Sequence, residues 1–284
     1  MNQEEIIIIG SNGQLGTALK EKYPSATAVD YKELDITNLK QLELFDWSKY
    51  KIILNAAAYT NVDGAETKEG RINAWKINAI GPANLAKISS QNNLTLLHIS
   101  TDYVFDGNTE IHDENEPFSP LSVYGASKAA GDIAVSQIKK NYVLRTSWVI
   151  GEGNNFVRTM MNLGSKGINP TVVSDQIGKL TFTSELVRAI DFLLTDKSPY
   201  GTYNLTNDGE KVSWADITRT IFEMMGIKNT VTDITTDEYY KGKDGIAPRP
   251  INSILSLDKI HDTGFRSNDW KQELKKYIDK EISK

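Results

Sequence analysis

The sequence predicts an α/β fold, a Rossmann-type doubly wound parallel sheet with a smaller α/β substrate-binding lobe. In the first half, short apolar runs alternate with longer amphipathic stretches, which is typical of βαβ units. A glycine-rich loop follows the first apolar run, and the alternation loosens after about residue 150. We therefore expect a nucleotide-binding Rossmann domain over residues 1–150. Residues 151–284 are expected to form mainly the substrate-binding lobe, with some elements returning to the first domain.

Five parallel strands and four helices are predicted in the first half. Ile6–Ile9 is β-branched throughout and is bounded by Gly10, as expected for a strand buried on both faces. The other strands are predicted at Thr27–Val29, Lys51–Leu54, Leu94–Ile99 and Tyr142–Leu144, and the helices at Gln14–Lys22, Asn38–Phe45, around Arg71–Gln91 and Val123–Lys139. Pro82 lies inside the third helix and is expected to kink or restart it.

The second half is less regular, and its elements are predicted from amphipathic spacing and capping residues. Ser213 is a plausible N-cap for one of its helices. Helices are predicted at Asn155–Gly164, Thr183–Leu194, Ser213–Met225 and about Asp269–Lys280, and strands at Thr171–Val173 and Thr202–Leu205.

Composition narrows the possible chemistry. The 284 residues include no cysteine, which excludes thiolate catalysis and cysteine-ligated metals. The three histidines, His98, His112 and His261, are widely spaced, so no metal site is predicted. Acid–base chemistry is therefore expected from a carboxylate, a lysine or a tyrosine.

Charge and hydropathy indicate where the protein works. A formal net charge of -5 and the lack of a basic run argue against nucleic-acid binding. No apolar run is long enough to span a bilayer, and acidic Glu4 and Glu5 stand where a signal peptide would be positively charged. We expect a cytoplasmic protein that does not bind membranes.

The loop after the first strand has the spacing G-x-x-G-x-x-G and leads directly into a helix. In such a loop one glycine permits a tight turn, a second lets backbone N–H groups approach a pyrophosphate, and a third allows close packing of helix and strand. The helix N-terminus then faces the phosphates. The predicted cofactor-binding residues of the loop are Gly10, Asn12, Gly13, Gln14, Leu15 and Gly16.

Asp30 ends the second strand, twenty residues after Gly10. An acidic side chain there can accept hydrogen bonds from the ribose hydroxyls of an adenosine, which favours NADH because a carboxylate repels a 2′-phosphate. Asp30 could also be a turn residue, which is the weaker alternative, and Asp35 and Ile36 could instead flank the adenine. The choice between NADPH and NADH stays open.

Tyr124 and Lys128 lie four residues apart on a predicted helix, so both side chains project from one face. An ammonium next to a phenol lowers the tyrosine pKa and makes the tyrosine a better proton donor near neutral pH. By itself this spacing is a common surface pattern. Ser100 and Thr101 follow the strand Leu94–Ile99, and the carboxyl ends of parallel strands border the ligand crevice, so Thr101 could bind a substrate oxygen there.

Several motifs together resemble the dTDP-4-dehydrorhamnose reductases, a family of the extended short-chain dehydrogenase/reductase superfamily. The resemblance covers most of the chain, in the same order. The motifs are Gly10-x-x-Gly13-Gln-Leu-Gly16, Asn55-Ala-Ala-Ala-Tyr59-Thr60-x-Val62-Asp63-x-Ala65-Glu66, Ser100-Thr101-Asp102-Tyr103-Val104-Phe105-x-Gly107, Tyr124-Gly-x-Ser-Lys128, Arg145-Thr-Ser-Trp148-Val and Arg249-Pro250-x-x-Ser253.

The resemblance implies reduction of the C4 ketone of dTDP-4-dehydro-β-L-rhamnose to dTDP-L-rhamnose by a reduced nicotinamide. Tyr124 would donate the proton, Lys128 would lower its pKa and hold the nicotinamide ribose, and Thr101 would orient the ketone. The cofactor crevice would be completed by Ala56, Ala57, Ala58, Tyr59, Asn78 and Ser100. The sugar nucleotide would contact Asp102, Tyr103, Trp148, Asn155 and Arg249, the last two being candidates for the pyrophosphate or the base.

A homodimer is possible. Some relatives bind a magnesium ion at their dimer interface. We do not expect that site here, because Thr17-Ala18 stands in the region where they have a glutamate.

Three alternatives remain at this point. A 4,6-dehydratase would need a glutamate where Tyr103 stands, and a 4-epimerase or another nucleotide-sugar reductase of the superfamily would share Tyr124 and Lys128. A non-catalytic NADP-binding regulatory subunit is the third. The presence of Thr101, Tyr124 and Lys128 together favours turnover.

Overall fold

A computed structural model describes residues 1–283. The strands, in chain order, are β1 (Ile6–Ile9), β2 (Thr27–Val29), β3 (Ile52–Asn55), β4 (Thr95–Thr101), β5 (Asn141–Thr146), β6 (Val149–Ile150), β7 (Thr171–Val173), β8 (Ile177–Gly178), β9 (Thr181–Phe182), β10 (Gly201–Asn204), β11 (Val212–Ser213) and β12 (Thr232–Ile234). The helices are α1 (Gln14–Lys22), α2 (Leu39–Leu44), α3 (Lys68–Trp75), α4 (Gly81–Gln91), α5 (Val123–Ser136), α6 (Phe156–Ser165), α7 (Thr183–Thr195), α8 (Trp214–Met224), α9 (Thr236–Tyr240), α10 (Asp258–Asp262) and α11 (Trp270–Ile282).

Six parallel strands form the central sheet in the order β2-β1-β3-β4-β5-β10. Strand β1 has neighbours on both sides, with Ile8 opposite Ala28 of β2 and Leu54 of β3. Strand β2 therefore lies on one side of β1, and β3, β4, β5 and β10 follow on the other side. A crevice opens at the carboxyl ends of β1 and β3, where the strand order reverses, and this is where ligands bind in open α/β sheets.

Helices cover both faces of this sheet, so the predicted doubly wound fold is confirmed. All four isoleucines of β1 are at most 1% exposed. Ile6 and Ile8 pack in the layer that includes Leu19 of α1 and Leu186 of α7. The opposite layer holds Ile7 and Ile9 with apolar side chains of three further helices, namely Leu42 of α2, Leu85 of α4 and Val135 of α5.

A second apolar core supports the smaller lobe. It gathers side chains from α6, α8 and α11, among them Met160, Ile217 and Leu274. Three elements after residue 150 nevertheless belong to the central sheet unit, because β10 pairs with β5, α7 packs beside α1 and α10 packs beside β10. The lobe's β strands are only two or three residues long, which explains why several had no sequence signal.

The stretch predicted as one helix around Arg71–Gln91 is three segments. Helix α3 passes into a π-helical segment, Lys76–Ile80, before α4 begins at Gly81. Pro82 occupies the first turn of α4, where a missing backbone N–H costs no hydrogen bond. The proline therefore restarts the helix, as the sequence suggested, and the π segment buries Asn78.

Within residues 1–283, no helix has the length and apolarity needed to cross a membrane.

Candidate active site

The glycine loop between β1 and α1 is shaped to receive a group that needs close backbone approach. Gly10 has φ +80°, and a Cβ added there would lie 2.5 Å from the Ala57 nitrogen. A Cβ on Gly16 would lie 2.1 Å from the Gly10 carbonyl oxygen, so α1 packs directly on the loop. Gly13 is the N-cap of α1 and offers no side-chain cap, so the helix N-terminus can receive an anion. These features fit a dinucleotide pyrophosphate.

A cavity of about 520 Å³ adjoins this loop. Asp30 lies at its edge, and its Oδ2 accepts a hydrogen bond from the Asn12 N–H at 3.0 Å while its Oδ1 accepts one from the Tyr31 N–H at 2.7 Å. Asp30 therefore holds the loop and also presents a carboxylate to the cavity. The predicted residues that line this cavity are Gly10, Gly13, Asp30, Asp35, Ile36, Ala56, Ala57 and Ala58.

A larger cleft of about 700 Å³ brings the glycine loop and the catalytic candidates together. It runs past the carboxyl ends of β3, β4 and β5, as the sheet topology requires. The predicted residues that line it are Asn12, Gly13, Gln14, Leu15, Ala56, Ala58, Ser100, Thr101, Asp102, Tyr103, Tyr124, Lys128 and Trp148.

Tyr124 lines this cleft, and several neighbouring groups act on the pKa of its phenol. Burial, and then the negative charge of Asp102, raise the pKa of Tyr124, and a hydrogen bond with Thr101 opposes this rise. That Lys128 lowers the pKa of Tyr124 stays a prediction. Lys128 Nζ donates to the Ile99 carbonyl oxygen at 2.6 Å, which fixes the ammonium at the end of β4.

Lys128 is only 2% exposed. Burial lowers its pKa to about 8, and the charge of Asp132, one helical turn further on, acts in the opposite direction. The side chain is therefore an ammonium at neutral pH that is close to losing its proton.

Thr101 and Asp102 form the turn that follows β4. Thr101 Oγ1 donates to Asp102 Oδ1 at 3.1 Å and accepts from the Tyr103 N–H at 3.2 Å. Burial raises the pKa of Asp102 to about 6, although hydrogen bonds with Ser253 and Thr101 oppose the rise. The turn thus places a hydroxyl and a weakly acidic carboxyl side by side in the cleft.

Aromatic side chains form the far wall of the cleft. Trp148 has φ +49° and stacks on Trp214 with ring centroids 3.8 Å apart. The ring of Tyr103 meets that of Tyr124 edge-on at 5.5 Å. Trp214 was not predicted from the sequence; its only signal was its position directly after the N-cap Ser213.

Arg249 borders a neighbouring cavity of about 400 Å³, shared with Tyr103, Trp148 and Trp214. Its Nη2 donates to Asp63 Oδ2 at 3.0 Å, and its guanidinium lies 5.0 Å from the centroid of the Tyr240 ring. The structure therefore places Arg249 beside the predicted sugar contacts and holds it there with a carboxylate from the sheet domain.

Asn155, Asn78 and Tyr59 line neither the cleft nor the cavity beside the glycine loop, and their roles at the site stay predictions. Asn155 is the N-cap of α6: its Oδ1 accepts from the Arg158 N–H at 3.0 Å, and its Nδ2 donates to the Gly151 carbonyl at 2.8 Å. The side-chain amide of Asn155 therefore stabilises the start of α6. Asn78 is buried and makes two hydrogen bonds to the main chain of Tyr59. Its Oδ1 accepts from the Tyr59 N–H at 2.8 Å, and its Nδ2 donates to the Tyr59 carbonyl oxygen at 3.0 Å.

Over residues 1–283, the structure brings no three His, Cys, Asp or Glu side chains together in a group that could hold a metal ion.

A dinucleotide loop, a Tyr–Lys pair and an aromatic cleft at the carboxyl edge of one doubly wound sheet define an oxidoreductase of the extended short-chain dehydrogenase/reductase class. The model of the RmlD substrate binding domain family matches residues 4–283. The chain belongs to this family, that of the dTDP-4-dehydrorhamnose reductases.

Relatives and solved structures agree with this membership. The chain is 37% identical to a dTDP-4-dehydrorhamnose reductase of Aggregatibacter actinomycetemcomitans, over 95% of this chain and 97% of the relative. A crystal structure of such a reductase from Clostridium acetobutylicum is 38% identical, with a TM-score of 0.89 over 96% of this chain and 98% of the other. One from Bacillus anthracis, in complex with NADP, is 37% identical with a TM-score of 0.88, covering 97% and 98% of the two chains.

Proposed function

We propose that this protein reduces the C4 ketone of dTDP-4-dehydro-β-L-rhamnose to give dTDP-L-rhamnose, with NADPH or NADH as the reductant. One observation carries the proposal: a single cleft contains the glycine loop together with Thr101, Tyr124 and Lys128. The homologous structure from Bacillus anthracis holds NADP, which supports the same class of cofactor here.

The residues present fit the cofactor. The loop from Gly10 to Gly16 would hold the pyrophosphate, Asp30 the adenosine ribose, and Asp35 and Ile36 the adenine side. The alanines at 56–58 and Ser100 would border the rest of the cofactor, and Lys128 would lie beside the nicotinamide ribose. When bound, the reduced nicotinamide supplies a hydride to the ketone carbon.

The protein supplies the proton and the binding of the ketone oxygen. Tyr124 donates a hydrogen bond to that oxygen, and the Thr101 hydroxyl turns from Asp102 to donate a second, so that the two orient the ketone. Because its pKa is raised, Tyr124 carries its proton throughout the neutral range and transfers it from Oη to the developing alkoxide. The buried ammonium of Lys128 then stabilises the phenolate that remains.

The rest of the substrate would lie along the aromatic wall. Asp102, Tyr103 and Trp148 would contact the sugar, and Arg249 would face the pyrophosphate, since a guanidinium binds phosphate oxygens in a fixed fork. We also place the reaction in the cytoplasm, where the charge and hydropathy of the sequence lead us to expect the protein.

A homodimer is also proposed. Three large apolar side chains, Ile72 and Trp75 of α3 and Ile133 of α5, are 50%, 43% and 52% exposed on neighbouring helices. Sedimentation velocity tests this: we expect a dimer for the wild type and a shift towards monomer for Trp75→Lys. A monomeric wild type at micromolar concentration would refute it.

The activity is tested by mixing the protein with the keto-sugar nucleotide and either NADPH or NADH, and following the near-ultraviolet absorbance of the reduced nicotinamide. We expect oxidation by the wild type and a loss of about 10²-fold or more in Tyr124→Phe. Cofactor binding without oxidation would indicate a regulatory subunit instead. Unimpaired oxidation by Tyr124→Phe would exclude the proposed proton donor.

A further inference from the structure

A buried group of charged and polar side chains lies beneath the catalytic cleft, and the mechanism above assigns it no role. Asp132, Arg145 and His98 are 2%, 4% and 0% exposed. They are not among the residues that line the cleft, although Lys128, which does line it, reaches down to His98.

Arg145 of β5 fixes the orientation of Asp132. Its Nε donates to Asp132 Oδ2 at 3.0 Å, and its Nη1 donates to the Glu114 carbonyl at 3.1 Å. The guanidinium also lies over two rings, 5.3 Å from the centroid of Phe105 and 4.9 Å from that of Phe118. With Oδ2 held in this way, the other oxygen of Asp132 lies towards His98, 4.0 Å from its Nε2.

Lys128 has few other charged neighbours that could stabilise its ammonium. His98 Nε2 lies 3.4 Å from Nζ, but burial and then the charge of Lys128 lower the pKa of His98 well below its usual range, so the ring is neutral. Asp102, on the turn after β4, is a weak acid in its own right and acts on Tyr124. Asp132 is the carboxylate whose charge raises the pKa of Lys128; burial raises the pKa of Asp132 itself, and the charge of Arg145 opposes that rise.

We propose that Asp132, held by Arg145, is a positioning residue that keeps Lys128 protonated at the floor of the cleft. It touches neither substrate nor cofactor and acts through Lys128. The proposal rests on the proposed reductase function, because it concerns the ammonium that stabilises the Tyr124 phenolate. It adds Asp132 and Arg145 to the residues that set the reaction's pH dependence.

A purely structural role would not need charges here. Buried ion pairs contribute little net stability, because desolvation offsets their attraction, and well-packed apolar side chains often replace them without loss. A buried lysine, in contrast, loses its proton readily unless an anion stays near it. The Asp132–Arg145 pair places that anion one helical turn from Lys128 on a rigid helix.

The test compares Asp132→Asn with the wild type in two measurements. In the first, the Lys128 side chain is titrated by NMR in cofactor-free protein labelled with ¹⁵N-lysine, the resonance being assigned as the one that Lys128→Met removes. We expect its midpoint to fall by about one pH unit or more. In the second, the alkaline limb of the kcat/KM profile should move to lower pH by the same amount, while activity at low pH stays near that of the wild type.

Removing one partner of a buried pair can prevent folding, so a second variant accompanies the first. Asp132→Asn combined with Arg145→Gln leaves no unpaired guanidinium and is expected to show the same shift, while Asp132→Glu should retain the wild-type profile. Asp191→Asn is the matched control, since it removes a carboxylate that pairs with Lys22 on the surface of the sheet domain. It should move neither measurement.

An unchanged Lys128 midpoint in Asp132→Asn, or in the double variant, would overturn the proposal, as would a loss of kcat that is equal at every pH. Failure of the wild type to reduce the keto-sugar nucleotide would instead count against the proposed function. In that case the NMR titration would still report whether Asp132 controls Lys128.

Discussion

Tyr124 and Lys128 share the acid–base task of the proposed reaction, but burial shifts their pKa values in opposite directions. Burial raises the pKa of the phenol, so Tyr124 remains the proton donor, while the lysine is the group poised to titrate. The spacing of four residues correctly placed both side chains in one cleft. It could not show the other influences on the tyrosine pKa, which are burial and the charge of Asp102 from a different segment of the chain.

This division predicts the pH dependence of the reaction. Lys128 has a lowered pKa of about 8, so it is charged below that pH and loses its charge as the pH rises through it. We expect kcat/KM to fall on the alkaline side with a midpoint near that value, well before Tyr124 would titrate. A profile that stays flat until the ordinary pKa of tyrosine would contradict this assignment. The measurement is kcat/KM at saturating NADPH across the pH range in which the protein stays folded.

The raised pKa of Asp102 predicts how the free energy of unfolding changes with pH. Its pKa is raised in the folded protein, so its ionisation costs stability above about pH 6, and this cost disappears as the pH falls below that value. The shift from 3.8 to about 6 corresponds to roughly 3 kcal/mol. Asp102→Asn should therefore raise the free energy of unfolding at pH 8 by more than at pH 4 when both proteins are unfolded with urea. An equal difference at both pH values would show that the carboxyl is not destabilised by burial.

At the scale of the elements, the phosphate loop depends on how closely β1, α1 and the chain after β3 approach one another. The sequence predicted the strand, the loop and the helix because each has a local signal: four β-branched residues, spaced glycines and an amphipathic segment. The π-helical segment before α4 was not predicted, nor were the short strands of the second lobe, except for β7, which was predicted at Thr171–Val173. Their backbones are set by tertiary packing, and such short elements carry no periodicity.

Gly10→Ala tests the close approach in the loop. The added Cβ would meet the Ala57 main chain at 2.5 Å and would occupy a backbone with φ +80°. Gly226→Ala is the matched control, because Gly226 has φ +66° with nothing within 4 Å of its Cβ position. Each change should cost about 1–2 kcal/mol for the left-handed backbone, but only Gly10→Ala should also weaken NADPH binding. The checks are urea unfolding and calorimetric titration with NADPH; equal NADPH affinity in the two variants would contradict a role for the close approach.

At the scale of the whole molecule, Asp63 and Arg249 join the sheet domain to the segment that borders the aromatic cavity. Asp63 Oδ1 accepts from the Ala247 N–H at 3.0 Å, and Oδ2 accepts from Arg249 at 3.0 Å. Burial alone would raise the pKa of Asp63, but these two partners lower it overall. Their separation in the sequence explains why no local pattern predicted the pair, even though both residues belonged to motifs noted from the sequence.

Breaking this pair should affect the sugar nucleotide more than the cofactor. In Asp63→Asn we expect KM for the dTDP-sugar to rise several-fold, because Arg249 loses the partner that orients it, with little change in the dissociation constant of NADPH. Asp233→Asn, which removes an exposed partner of Arg219 in the smaller lobe, is the control. The comparison is made by steady-state kinetics and fluorescence titration, and an unchanged KM in Asp63→Asn would mean that the pair does not position Arg249.

The most direct test of the central claim follows a deuterium label. The protein is incubated with dTDP-4-dehydro-β-L-rhamnose and NADPH that carries deuterium at the transferable position of nicotinamide C4, and the product is analysed by NMR and mass spectrometry. The account predicts dTDP-rhamnose with deuterium bonded to sugar C4, formed by the wild type and reduced about 10²-fold or more in Tyr124→Phe. Deuterium that remains on the nicotinamide, or appears at any other sugar carbon, would contradict it.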